Sequence, residues 1–103
     1  MSLYKTDFES MSWDVPMPGI RHKIAERDGR RLRLVEYTAE MEPHWCERGH
    51  TGYMLEGRFE IRFENETLVF EEGDGIYLPE GSEHKHMGKV LTDRVRVFFL
   101  ESS

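Results

Sequence analysis

The sequence predicts an all-β domain, an antiparallel barrel or sandwich of many short strands. Three observations carry this. Polar and apolar residues alternate over short runs, without exception in Arg58-Phe59-Glu60-Ile61-Arg62-Phe63, the period-2 pattern of a half-buried strand. Turn signals rich in Gly, Asp, Asn and Pro separate these runs at close intervals. Apolar residues nowhere recur at helical spacing over more than about a turn.

Residues 1–19 are polar, with scattered Met11, Trp13 and Met17 and then Pro16 and Pro18. They read as an irregular N-terminal arm holding at most one short helical turn, with Trp13 anchoring it to the body. Residues 20–103 then form the barrel domain. Ile20 to Ala25 and Arg31 to Tyr37 flank Asp28-Gly29, a strong two-residue hairpin signal. In the second run Leu32 and Leu34 face one way, Arg31 and Arg33 the other. The alternating charges of RHKIAERDGRRLR suggest a solvated face, with His22 on the surface of this hairpin.

Tyr53 to Leu55 runs into Glu56-Gly57, and the strand at Arg58 follows. Asn65 turns the chain into Thr67 to Phe70, and Glu72-Gly73-Asp74-Gly75 turns it again. Gly57, Gly73, Gly75 and Gly81 are expected to supply positive φ in these turns. Ile76-Tyr77-Leu78 stops at Pro79. Val95 to Leu100 closes the domain, with Val95, Val97 and Phe99 on one face. Phe98 and Leu100 make its other face partly apolar, as in a strand lying at a subunit interface, which predicts a homodimer.

At 103 residues the chain is one domain, able to bury roughly two thirds of its unfolded surface without disulfides. A net charge of −6 argues against a nucleic-acid partner. No apolar stretch approaches the ~20 residues of a membrane span. The first ten residues lack the apolar core of a signal peptide. One cysteine excludes an internal disulfide framework and makes the reducing cytosol, where a lone thiol persists, the expected location.

The segment PHWCERGHTGYMLEG, residues 43–57, gathers His44, Cys46 and His50. Further along, GDGIYLPEGSEHKHMG carries His84 and His86. Residues two apart on a strand point to one face, with Cα atoms roughly 6.5 Å apart. His44 and Cys46 can thus share a face, and so can His84 and His86. If the two segments are neighbours, all four side chains project into one interior, and His50 is also at even spacing from Cys46. Imidazole and thiolate together suit a divalent transition metal, not magnesium or calcium.

These two segments resemble the paired motifs of the cupin superfamily. The first motif is matched by His44-x-Cys46, three residues, His50, six residues and Gly57. Gly73, five residues, Pro79-Glu80-Gly81, two residues, His84, three residues and Gly88 follow the second. Cysteine stands where the motif has a second histidine, histidine where it has glutamate, and Gly88 where it has asparagine. The resemblance spans roughly residues 31–100 and implies a double-stranded β-helix, the jelly-roll barrel.

The resemblance implies metal ligation by His44, Cys46, His50 and His84, with zinc, iron(II) or nickel as the fitting ions. His86 becomes a base or substrate contact beside the metal, Glu47 a second acid–base candidate, and Tyr53 and Tyr77 pocket groups. Two functional readings follow. One is a small metalloenzyme of dioxygenase, isomerase or lyase type, acting on a small polar metabolite. The other is a non-catalytic module sensing a metal, an oxidant or a small ligand, for which Cys46 beside a metal would be suited.

Overall fold

The computed structural model describes residues 4–102; the first three residues of the expected arm, and Ser103, lie outside them. Nine strands are described: β1 (Asp14–Met17), β2 (Ile20–Arg27), β3 (Arg30–Thr38), β4 (His50–Glu56), β5 (Arg58–Arg62), β6 (Thr67–Glu71), β7 (Gly75–Leu78), β8 (Met87–Val90) and β9 (Arg94–Ser102). Two 3-10 turns, Phe8–Ser10 and Ser82–His84, are the helical pieces among the described residues. No helix there is long and apolar enough to cross a membrane.

The strands form an antiparallel six-stranded sheet, ordered β1-β2-β3-β9-β4-β7, and a three-stranded sheet, ordered β6-β5-β8. This is the all-β jelly roll that the alternation and the motifs predict. Asp28 and Gly29 both take positive φ, 50° and 76°, which gives the β2–β3 hairpin its mirror-image turn. Gly57, Gly73 and Gly81 have positive φ as expected, whereas Gly75 does not and simply opens β7.

The core lies between the sheets. Val35 and Tyr37 of β3, Met54 of β4, Ile76 and Leu78 of β7, and Val95, Val97 and Phe99 of β9 meet Phe59 and Ile61 of β5. Phe59 stacks on Tyr37 with centroids 4.9 Å apart. Burial of each such side chain stabilises the fold by roughly 1.5–3 kcal/mol.

The arm departs from the irregular reading: Asp14–Met17 pairs with β2 as an edge strand. Trp13 does pack against the body, under the Arg21 guanidinium at 4.2 Å and the Lys23 ammonium at 4.6 Å. Buried Lys23 donates to the Phe8 carbonyl at 2.7 Å, and Phe8 meets Phe98 edge-on. Arg21 and Arg96 also hold the buried Glu36 carboxylate, at 2.9 and 2.8 Å. Those ion pairs compensate a charge that would otherwise be costly to bury.

Candidate metal centre

Ladder register determines which side chains reach the interior. Arg33 pairs with Phe99 and Val35 with Val97, and cross-strand partners share a face. Phe99 and Val97 are core residues, so Arg31, Arg33, Val35 and Tyr37 point inward and Leu32 and Leu34 outward. His22 pairs with Val35 and points inward as well. The arginine face and His22, read from the sequence as solvated, instead line a cavity of about 660 Å³ between the sheets.

A backbone bridge brings Cys46 against His86, 40 positions further on. The Cys46 amide donates to the His86 carbonyl at 2.8 Å, and the His86 amide donates to the Cys46 carbonyl at 2.9 Å. Their side chains therefore lie side by side on the cavity wall. His50 joins them from the first position of β4, next to Gly49, where a Cβ would come within 3.1 Å of the Leu78 carbonyl oxygen and the Glu80 amide nitrogen. One donor atom from each of Cys46, His50 and His86 lies within 4.8 Å of the others.

Second partners fix the two rings. Glu101 Oε2 sits 2.6 Å from His50 Nδ1, which leaves Nε2 to face the cluster. The His84 carbonyl oxygen lies 3.2 Å from His86 Nδ1, with the same consequence. His50 packs edge-on against His86 at 5.4 Å and over Phe99 at 4.9 Å. Glu101 is itself held by Arg33 Nη1 at 3.4 Å, and Arg33 Nε donates to His22 Nδ1 at 3.0 Å.

Charge follows this geometry. Hydrogen bonds from His50 and His86 pull the Cys46 thiol down to about 5, so it is a thiolate at neutral pH. Burial works against a charge on His50, but hydrogen bonds to Cys46 and Glu101 outweigh it and raise its pKa. Burial likewise opposes charge on Glu101, yet His50 and Arg33 hold its carboxyl below the usual range.

A thiolate and two ring-fixed imidazoles are a donor set for zinc, iron(II) or nickel. Donors sharing one tetrahedral ion lie roughly 3.5 Å apart, so small rotamer shifts close this set. Three protein donors would leave a bound ion a coordination position for a further ligand, unlike a closed four-ligand structural site.

The structure thus brings together Cys46, His50 and His86, and leaves His44 and His84 outside the cluster. His44 borders the cavity but is exposed, with Nδ1 3.1 Å from the Glu42 carbonyl oxygen. Residues 42–45 form no strand, so the two-residue alternation linking His44 to Cys46 does not apply there. His84 ends the 3-10 turn Ser82–His84 and lies 3.7 Å from Glu83. That turn breaks its shared face with His86.

Glu47 is exposed, and its carbonyl accepts from the Gly81 amide at 3.0 Å. Tyr53 lies half exposed on the outer sheet face, and Tyr77 borders the cavity while remaining 75% exposed. Sequence reasoning missed Glu101 and Arg33, which no local motif marks. Their signal was register: position 101 continues the inward series 95, 97, 99.

A family model described as a Cupin domain matches residues 31–100. None of the curated proteins matches the chain. Among solved structures, KdgF from Halomonas sp. is 28% identical, with TM-score 0.74, covering 91% of this chain and 89% of that one. An RmlC-like cupin from Shewanella frigidimarina is 15% identical, also with TM-score 0.74, over 98% and 91%. The Cnp3 cupin domain of Schizosaccharomyces pombe shares 14% identity at TM-score 0.74, over 96% and 68%. The last two show likeness of fold alone.

Proposed function

The chain belongs to the cupin domain family, and on that premise we propose that it holds a divalent transition metal on Cys46, His50 and His86. It presents that metal to a small polar molecule in the cavity, as a small metalloenzyme of dioxygenase, isomerase or lyase type. One observation carries the reading: three soft and borderline donors converge on the wall of a cavity of ligand size. When bound, such an ion supplies a Lewis acid with a coordination position open to a ligand.

The chain's own groups do the rest. With metal in place, His50 donates its Nδ1 proton to Glu101 and offers Nε2, an arrangement that fixes the tautomer and strengthens the donor. The His84 carbonyl does the same for His86. Phe59, Ile61 and Phe99 exclude water from one side of the cavity. A free thiol donor suits a reducing compartment such as the cytosol.

One feature favours the sensing reading beside this one. Cys46 is only partly buried, so an oxidant reaching the cavity would meet a thiolate, and oxidation would remove a donor. The protein also acts as a homodimer in our reading, through the outer face of the six-stranded sheet.

Elemental analysis of protein purified without added metal tests the central reading. Wild type should carry near-stoichiometric zinc, iron or nickel. His50→Ala and His86→Ala should each lose more than about tenfold of it, whereas His44→Ala and His84→Ala retain it. Retention in His86→Ala with loss in His84→Ala would overturn this ligand set in favour of the motif's own.

A further inference from the structure

The cavity holds a positive charge that the metal donors do not use. Arg31 and Arg33 stand two apart on β3 and both line the wall. Arg33 is committed to His22 and Glu101. Arg31 lies directly opposite Glu101 in the β3–β9 ladder, where a cross-strand ion pair would be expected. Yet the Glu101 carboxylate turns to His50 and Arg33 instead. The Arg31 Nε–H is left buried with no hydrogen-bond partner among the described residues.

A planar guanidinium is a fork of donors that matches a planar, two-oxygen acceptor. No acceptor is supplied to Arg31 Nε, and its side chain faces a space of ligand size. The other charges of the wall limit what the ligand can be. Glu101 is compensated by His50 and Arg33, Glu80 is exposed, and exposed Arg48 adds one more cation. With Glu101 compensated and Arg48 balancing Glu80 in charge, Arg31 is the cation left over, which suits a singly charged anion better than a phosphate dianion.

We propose that Arg31 anchors the carboxylate of a small organic acid whose hydroxyl or carbonyl oxygen faces the Cys46–His50–His86 centre. Glu101 sets the length of that acid, being the cross-strand neighbour of Arg31 and the hydrogen-bond partner of His50. Cross-strand neighbours have Cβ atoms about 5 Å apart, so the anchor stands next to the residue that holds His50. The metal-facing half rests on the function proposed above; the anchor does not.

Saturation-transfer NMR on the full chain, metal-loaded and metal-free, tests this with lactate, pyruvate and glycerate. Each acid is compared with its neutral amide and with inorganic phosphate. The acids should bind at least about tenfold more tightly than the amides. Arg31→Gln should lose that preference while keeping its metal and its near-ultraviolet circular dichroism, and Arg31→Lys should restore part of it. Equal binding of acids and amides, preference for phosphate, no binding of any acid, or unchanged binding by Arg31→Gln each overturns the anchor. Acid binding that needs Arg31 in a protein shown to take up no metal would instead sink the centre and leave the anchor standing.

Discussion

Glu101 shows how much of the site depends on a residue outside the Cys46–His50–His86 donor set. At 2.6 Å from His50 Nδ1 it fixes the ring so that Nε2 faces Cys46 and His86. Such outer partners typically account for 10–100-fold in metal affinity. Glu101→Gln, which keeps the shape but loses the charge, should therefore weaken metal binding by roughly that factor in a competition titration with a chelator. Affinity equal to wild type would show that His50 needs no such partner.

At this scale the sequence was partly legible. Cys46 and His50 could be named because they sit in a recognisable spacing. His86, which the structure brings into the cluster in place of His84, was read as a base beside the metal, with His84 as the ligand. The reason is local: alternation holds on a strand, and Ser82–His84 is a 3-10 turn. Arg31, Arg33 and His22 were misread as solvated because charge alone says nothing about which side of a strand faces inward. That information resides in the pairing of β3 with β9, a long-range fact.

The elements that build the site are short ones. β8 follows His86 directly and pairs with β5 through Ile61↔Gly88 and Arg62↔Met87. The Cys46–His86 bridge extends that alignment to the opposite wall. Gly88 lets β8 lie against the Phe59 ring, where any Cβ would crowd the aromatic atoms. Gly88→Val should cost about 1–3 kcal/mol by overpacking, read by denaturant unfolding. It should also weaken metal retention by displacing His86. An unchanged unfolding midpoint would mean that Phe59 simply moves aside.

Strand positions were the most legible part of the molecule, since alternation and turn residues are local. Val95 to Leu100 and the Asp28-Gly29 hairpin fall where alternation placed them. β1 and β8 escaped notice. β1 carries Pro16 and an exposed pattern with no alternation, and β8 spans four residues next to a glycine. Both exist because a neighbouring strand offers them an edge.

Across the whole molecule, the outer face of the six-stranded sheet is apolar along two ladder rows. One row runs Leu32, Leu100, Thr51 and Tyr77; the next runs Leu34, Phe98 and Tyr53. Tyr53, Tyr77 and Leu100 expose 50%, 75% and 39% of their surface, a contiguous patch of the kind monomers seldom leave uncovered. Sedimentation should find a dimer, and Tyr53→Glu with Leu100→Glu should convert it to a folded monomer. A wild-type monomer at micromolar concentration would remove the homodimer from the account.

The two faces of this sheet differ, the outer one carrying the exposed Tyr53, Tyr77 and Leu100 beside the Glu36 ion pairs, the inner one supplying the groups around the cavity. X-ray absorption at the metal edge of protein loaded with a single equivalent of zinc tests that inner arrangement most directly. The expected spectrum has one sulfur near 2.3 Å and two imidazole nitrogens at roughly 2.0–2.1 Å, with the sulfur lost in Cys46→Ser. A shell of oxygens and nitrogens alone, unchanged by that substitution, would contradict the centre.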